Sequence, residues 1–184
     1  MIMLLSLVEL GSLVIMSLVL GYIFTGYIIK DPYGGSSFTW KSLWFSAMIA
    51  APAVVLHEFG HKFVAIAFGH SATFGVYWFG LGLALVLKFF NSPLLILAPA
   101  FVSIPGGIPA WDGMWIGFAG PAVNLVLFGI SALVLKYKKK MSEKEMIGWA
   151  ISKKLSIFLF IFNMIPITPL DGSHILNNLL TLLA

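Results

Sequence analysis

Four long apolar runs dominate the pattern of hydrophobic and polar positions along this chain. They cover residues 2–29, 43–69, 113–135 and 147–165. Each run approaches or exceeds the roughly 20 helical residues that cross about 30 Å of hydrocarbon. The pattern therefore predicts an all-α polytopic membrane protein, built as a bundle of four to six transmembrane helices. The first run lacks a basic leading segment and a small-residue cleavage site, so we expect a retained span rather than a secretory signal.

Two segments interrupt the helical pattern. From 71 to 88, aromatic and branched residues are mixed with glycines, which favours strands over a continuous helix, so we expect a small membrane-associated β segment there. The apolar piece 93–104 lies between proline-containing turns and is short for a span, so we expect it to be re-entrant or packed against the bundle. After a proline-containing break at 163–169, the pattern predicts a short helix at 172–184.

Composition supports a membrane protein. Hydrophobic residues make up 60% of the chain and charged residues 10%, with a mean hydropathy of +1.00, values outside those of soluble domains. We expect a single membrane-embedded domain over 1–184, with its core at 43–178 and no separate soluble domain. Most of the lysines fall between 136 and 154, beside a span, which is typical of flanking charge next to a lipid bilayer. Because the chain is so apolar, we do not expect a nucleic acid as a partner.

The segment HEFGH at 57–61 carries the candidate chemistry. His57 and His61 are four residues apart, so on a helix their imidazoles project from one face and can both reach one metal ion. Glu58 then projects beside that ion, where a carboxylate can take a proton from a water molecule and later deliver it to a leaving amine. Because the chain has no cysteine, any further ligand must be His, Asp or Glu. These are the parts of a hydrolase.

A chance match of five residues is the alternative, and depth in the membrane argues against it. Counted from Leu43, His57 lies about 21 Å along the second predicted helix, inside the hydrocarbon layer. An ionisable residue without a partner costs roughly 2.5 kcal/mol or more at that depth. Three such residues within five positions need compensation, and a metal ion in a hydrated pocket supplies it.

A catalytic zinc site usually has three protein ligands, so a third ligand has to come from elsewhere in the chain. Asp171 is the strongest candidate because it follows Pro166 and Pro169, which break a membrane helix. Such a break is tolerated at depth only where it is buried in protein or lines a cavity. The other candidates are Glu9, His70, Asp112 and His174.

Together, these motifs resemble the site-2 protease family of intramembrane zinc metalloproteases. The second motif of that family is approximately N-x-x-P-x-x-P-x-D-G. The residues that match it without a gap are Asn163, Pro166, Pro169, Asp171 and Gly172. The segment GPAVN at 120–124 is similar to the small-residue motif between the two metal-binding helices of the family. The resemblance covers about 57–178, most of the chain.

The resemblance implies an intramembrane zinc endopeptidase that cuts a peptide bond in or near a transmembrane segment of a membrane-protein substrate. It implies one zinc ion per chain, held by His57, His61 and Asp171, with Glu58 as general base and then general acid. It also implies a multi-pass location in the cell membrane, with the active site within the bilayer and nearer the cytoplasmic face. The segment 71–88 then corresponds to a β segment at the membrane boundary, where an extended substrate can add as a further strand.

Several other polar residues are expected near this site. By the same resemblance, Asn163 or Asn124 positions the substrate or stabilises the oxyanion, and an interhelical hydrogen bond is the alternative for either. His174 fits a place beside the ligands or at an interface better than a role as a ligand. Glu9 fits the lipid interface or the bundle interior, with gating as a lesser alternative. We expect Gly120 to serve close helix packing.

Metal ligation by His57, His61 and Asp171 also constrains the topology. The ends of the second and fourth helices must meet on one side of the membrane, so these helices run parallel and the piece 93–104 should not span. The lysine-rich loop 136–146 then lies on the opposite face, which the positive-inside rule would make cytoplasmic. The family resemblance favours the reverse orientation, and the sequence leaves both open.

Other functions fit parts of this pattern. One is a catalytically silent membrane scaffold of the same fold that binds transmembrane helices, and the presence of the base Glu58 argues against it. Another is a membrane metallopeptidase acting on lipid-modified peptides, or a metal transporter. The lack of a second glutamate-containing ligand motif and the segment LDG at 170–172 count against both.

Overall fold

The described part of the chain forms a helical bundle with one small sheet. The computed structural model describes residues 5–25, 38–90, 100–104 and 106–184. In chain order, the elements of these residues are α1 Leu7–Phe24, α2 Trp40–Ala67, β1 Thr73–Val76, α3 Trp78–Phe89, β2 Ala100–Ser103, α4 Ala110–Tyr137, α5 Glu143–Asn163 and α6 Asp171–Leu183. The chain is an all-α membrane protein with a small β segment, which confirms the predicted fold class.

Among the described residues, three helices are long and apolar enough to cross a membrane. They are α1 with 18 residues and α2 and α4 with 28 residues each. The predicted fourth span falls on α5, which has 21 residues and carries Lys153 and Lys154 in its middle. Helix α3 has 12 residues and is too short for a full crossing. Membrane embedding is therefore carried by α1, α2 and α4.

The β segment predicted for 71–88 is shorter than expected. Strand β1 ends at Val76, and α3 occupies most of the remainder, so the prediction of strands is wrong there. The buried residues of α3 are Gly80, Leu81 and Ala84, which share one helix face. Packing of this face outweighs the strand preference of the aromatic residues around it.

Strand β1 pairs with β2 in an antiparallel sheet. Thr73 is opposite Ser103, and Val76 is opposite Ala100. The strand β2 is the end of the apolar piece that we expected not to span. Residues 91–99 lie outside the described residues, so the expectation for that piece stays a prediction over them.

The contacts between helices give their relative directions. His70, after α2, contacts Asp112 at the start of α4, whereas His57 earlier in α2 contacts Asn124 later in α4. These helices are therefore antiparallel. Helix α5 returns beside α4 after the short connection 138–142, so it is antiparallel to α4 as well. Helices α2 and α5 consequently run parallel, as metal ligation at their ends requires.

The buried apolar core lies mainly between α1, α2 and α5. Small residues let these helices approach closely, as is common in membrane bundles. A Cβ on Gly21 of α1 would lie 2.8 Å from the Cβ of Ala47 in α2. The fully or almost fully buried core residues include Met16, Leu20, Ile23, Ala50, Ala53 and Leu159.

Candidate metal centre

Three predicted ligands converge at one point between α2, α4 and α6. Asp171 Oδ2 lies 3.1 Å from His57 Nε2 and 3.4 Å from His61 Nε2. The two imidazole Nε2 atoms are 3.1 Å apart, as expected for positions i and i+4 of one helix. Among the described residues, this is the one group of three His, Asp or Glu side chains arranged to hold a metal ion.

The break after α5 brings Asp171 to this point. The turn 164–170 contains Pro166 and Pro169, which cannot continue the helix, and α6 begins at Asp171 itself. Gly172 allows the turn to fold tightly against the start of α6, because a Cβ there would lie 2.4 Å from the carbonyl oxygen of Met164. The proline motif thus ends one helix and begins another with a carboxylate directed at the histidines.

The protonation of the His61 imidazole follows from its second nitrogen. His61 Nδ1 lies 2.7 Å from the carbonyl oxygen of Ile116 in α4. A carbonyl oxygen can only accept, so the ring carries its hydrogen on Nδ1 and leaves the lone pair of Nε2 directed at Asp171. A backbone carbonyl behind a histidine is a common way to orient a metal ligand.

Asn124 has the corresponding position behind His57. Its side-chain amide lies 2.9 Å from His57 Nδ1, and Asn124 is fully buried. The amide can face the ring with either its nitrogen or its oxygen, and Oδ1 has no partner elsewhere among the described residues. When Asn124 Oδ1 faces the ring, it accepts from His57 Nδ1–H, and this is the arrangement compatible with metal binding through His57 Nε2. This leaves the lone pair of His57 Nε2 free as well.

These tautomers leave three electron-pair donors facing one another without a hydrogen between them. Asp171 Oδ2 is buried and has no well-aligned hydrogen bond from any described residue. An ionised carboxylate and two imidazole lone pairs at this spacing fit a metal cation.

Gly120 of α4 makes room for such an ion. A Cβ added at Gly120 would lie 2.2 Å from His61 Nε2 and 2.7 Å from His57 Nε2. The missing side chain therefore opens the space directly in front of both ligand atoms. We expected Gly120 to serve close helix packing, whereas the structure also puts it against the ligands themselves.

The metal centre opens into a cleft of about 400 Å³. Glu58 is buried on the same helix as the histidines and lines this cleft beside them. The other polar residues on the wall are Asn163, His174 and Asn178, and strand β2 contributes Ala100, Phe101 and Val102. The buried carboxylate of Glu58, the three candidate metal ligands and strand β2 thus face one cleft, which suits hydrolysis of an extended peptide.

Of the other candidates for a third ligand, His174 lines the cleft, whereas Glu9, His70 and Asp112 lie outside it. His70 and Asp112 contact each other, with 2.8 Å between Nε2 and Oδ2. Glu9 forms an ion pair with Lys62, which is 0% exposed and was not singled out from the sequence. The sequence contained a signal for this ion pair. Lys62 and Glu9 are both ionisable residues inside predicted membrane spans, where each needs a partner.

No family model and no solved structure matches this chain. It is 29% identical over 167 residues to a protein of Synechocystis named "Putative zinc metalloprotease". The aligned residues make up 88% of this chain and 39% of the relative. A Methanocaldococcus jannaschii protein of the same description is 29% identical over 139 residues, 71% of this chain and 68% of the relative. Another from that organism, named "Zinc metalloprotease", is 26% identical over 79% of this chain and 36% of the relative. The chain therefore spans less than half the length of the first and third of these relatives.

Proposed function

We propose that this chain is a membrane-embedded zinc endopeptidase of the site-2 protease type. It hydrolyses a peptide bond in or near a transmembrane segment of a membrane-protein substrate. The observation that carries this proposal is the convergence of His57, His61 and Asp171 beside Glu58 in one cleft between helices. Similarity to proteins named zinc metalloproteases supports the metal and the class of reaction.

Zinc is the metal that this donor set suits best. Two imidazoles and one carboxylate, with no thiolate, leave a fourth position open, as in catalytic zinc sites. We assign one zinc ion per chain to His57, His61 and Asp171. A zinc ion in a site of this kind lowers the pKa of water and polarises the carbonyl of a substrate.

Glu58 moves the proton in the proposed reaction. It accepts a proton from the attacking water as the new C–O bond forms at the scissile carbonyl carbon. As the C–N bond breaks, Glu58 delivers that proton to the leaving nitrogen, so one water molecule is consumed and the carboxylate is regenerated. Burial of Glu58 next to the ligands keeps this proton transfer away from bulk water.

We assign different tasks to the two asparagines. Asn163 lines the cleft, which supports a role in positioning the substrate or stabilising the oxyanion. Asn124 contacts the Nδ1 side of His57, which supports a role in orienting that ligand. Asn124 is absent from the residues that line the cleft, so we give contact with the substrate to Asn163.

The edge of β2 that faces away from β1 is the proposed binding edge for an unwound substrate. Phe74 N–H donates to Glu9 and so points away from β2. Phe74 is opposite Val102 in the antiparallel pair. When the N–H of one residue of an opposite pair points away from the other strand, the N–H and C=O of both residues point to the outer edges of the sheet. Val102 lines the cleft, so we assign its outward N–H and C=O to pairing with an extended segment. A helical substrate has to unwind to present its peptide bond there.

The test is zinc content and peptide cleavage by the purified chain in detergent. We expect about one zinc per chain in wild type and in Glu58→Gln. Cleavage of a synthetic single-span peptide should fall in Glu58→Gln by about 10²-fold or more, because the general base is lost while the ligands remain. Glu145→Gln, at an exposed ion pair with Lys138, is the matched control and should cleave normally.

The outcomes separate this proposal from its alternatives. Stoichiometric zinc without cleavage of any tested peptide would favour a scaffold that binds transmembrane helices. Absence of zinc from wild type would overturn the metal assignment, and an unchanged zinc content in Asp171→Ala would contradict Asp171 as a ligand. Unchanged cleavage in Glu58→Gln would contradict the role of that residue.

A further inference from the structure

A buried ion pair lies one residue beyond the metal-binding segment. Lys62 directly follows His61, is the largest fully buried side chain of the described residues, and donates to Glu9 Oε1 of α1. Glu9 itself is 3% exposed. Both residues belong to helices long enough to cross a membrane, where ionisable side chains are costly and usually mark function.

Stability alone does not account for such a pair. Replacing a buried ion pair by well-packed apolar residues of similar volume is often neutral or stabilising. Removing only one member, by contrast, leaves an uncompensated charge and is strongly destabilising. The pair therefore needs an explanation in something that apolar side chains cannot do.

The Glu9 carboxylate also supplies a hydrogen-bond acceptor to the sheet. Its Oε1 accepts from Phe74 N–H of β1 at 2.8 Å, in addition to the ammonium group of Lys62. Its Oε2 accepts from Ser6 N–H at 2.7 Å, and Ser6 Oγ accepts from Glu9 N–H in return. This capping box holds the carboxylate in one orientation. A single side chain thus joins α1, α2 and β1, and we call this point the Glu9 joint.

Two short paths lead from Glu9, one to the candidate metal ligands and the other to strand β2. One path runs through Lys62 to its neighbour in the chain, the ligand His61. The other runs through Phe74 to Val102, its partner across the sheet, which lines the cleft. Glu9 is therefore linked both to the helix that carries the two histidines and to the strand whose partner lines the cleft.

We propose that Glu9 and Lys62 are positioning residues that set the β2 edge relative to the metal centre, and thereby the binding of an extended substrate segment. This inference rests on the proposed function, because the β2 edge matters only if a substrate pairs with it. Loss of the joint releases β1 and its partner strand from α1. The metal ligands and Glu58 stay on α2 and α6, so substrate binding is weakened more than the chemical step.

Two double variants separate the charge from the hydrogen bond. Glu9→Gln with Lys62→Met removes both charges and keeps a side-chain oxygen for Phe74 N–H. Glu9→Leu with Lys62→Met is equally neutral and has no acceptor. Neither variant leaves an uncompensated buried charge, so both are expected to fold. Lys138→Met, which breaks the exposed pair with Glu145, is the control for the loss of a surface ion pair.

The kinetic measurement uses a fluorogenic single-span peptide in detergent, with zinc content measured in parallel. We expect the Leu/Met variant to retain zinc and to keep kcat within about threefold of wild type. Its KM should rise by about 5- to 30-fold, which corresponds to the loss of one buried hydrogen bond. The Gln/Met variant should rescue KM to within about threefold. A wild-type KM in the Leu/Met variant would overturn the proposal. Loss of zinc or of kcat in step with KM would overturn it too, because the pair would then support the metal-binding helix instead.

A measurement that needs no activity keeps the two proposals separate. Hydrogen exchange of the Phe74 amide should be protected in wild type and in the Gln/Met variant, and at least about tenfold faster in the Leu/Met variant. If wild type binds zinc but cuts no peptide, the proposed function fails while exchange still reports on the joint. Equal protection in both variants would show that Glu9 does not hold β1.

Discussion

At the scale of single residues, the metal centre depends on the groups behind and between its ligands. The carbonyl oxygen of Ile116 and the amide of Asn124 orient the two imidazoles from their Nδ1 sides. Gly120 leaves the space in front of both Nε2 atoms open. All three residues belong to α4, which contributes no ligand of its own. Helix α4 therefore shapes the candidate site without contributing a ligand to it.

The substitution Gly120→Ala tests this arrangement. The added methyl group would lie 2.2 Å from His61 Nε2, in the space that an ion needs. We expect bound zinc to fall from about one to below about 0.1 per chain, and cleavage to be lost with it. Gly129→Ala is the matched control on the same helix, because a Cβ there meets nothing within 4 Å. Full zinc occupancy in Gly120→Ala would contradict the assigned metal position.

The sequence predicted three candidate ligands, which the structure brings together, but not the groups behind and between them. His57 and His61 could be paired because helix periodicity is a local property, and Asp171 stood out because prolines precede it. The contacts of Asn124 and the space at Gly120 depend on where α4 crosses α2, which no local pattern specifies. The partner of Lys62 depends in the same way on the position of α1.

At the scale of elements, the long helices follow the hydrophobic pattern closely, whereas α3 does not. Its glycines and aromatic residues resemble a strand in composition, but Gly80, Leu81 and Ala84 are buried with the spacing of a helix. In a membrane, aromatic side chains are as stable facing lipid as facing a core, so their presence says little about which face is buried. Twelve residues of this kind cannot be assigned from composition alone.

The crossing of α2 and α4 can be tested at Gly60. A Cβ there would lie 2.7 Å from the carbonyl oxygen of Ala119, a backbone atom that cannot move aside cheaply. We expect Gly60→Ala to destabilise the chain by about 1–3 kcal/mol, measured by thermal unfolding in detergent. Gly11→Ala in α1, where a Cβ meets nothing within 4 Å, should be neutral or slightly stabilising. Equal stability of the two variants would mean that α2 and α4 do not pack this closely.

At the scale of the whole molecule, the metal centre lies nearer one face of the bundle than the other. His61 precedes the end of α2 at Ala67 by six residues, or about 9 Å of helix. The start of α2 at Trp40 is about 26 Å from His57 on the same basis. Ser71 follows the end of α2 at the near face. The lysine-rich loop 136–146 follows the end of α4 at the far face, because α4 is antiparallel to α2. We propose that the near face, toward which the candidate ligands lie, is cytoplasmic.

Single cysteines test this orientation on a chain that has none of its own. Ser71 and Lys140 are both exposed, and α4 with its 28 residues, about 42 Å of helix, separates their two faces. With a membrane-impermeant maleimide, we expect Lys140→Cys to be labelled in intact bacterial cells and Ser71→Cys only after permeabilisation. The reverse pattern would support the orientation that the positive-inside rule favours. Labelling of both from one side would contradict α4 as a span. Because the candidate metal ligands lie toward Ser71, the same result also shows which face of the membrane is nearer to the site.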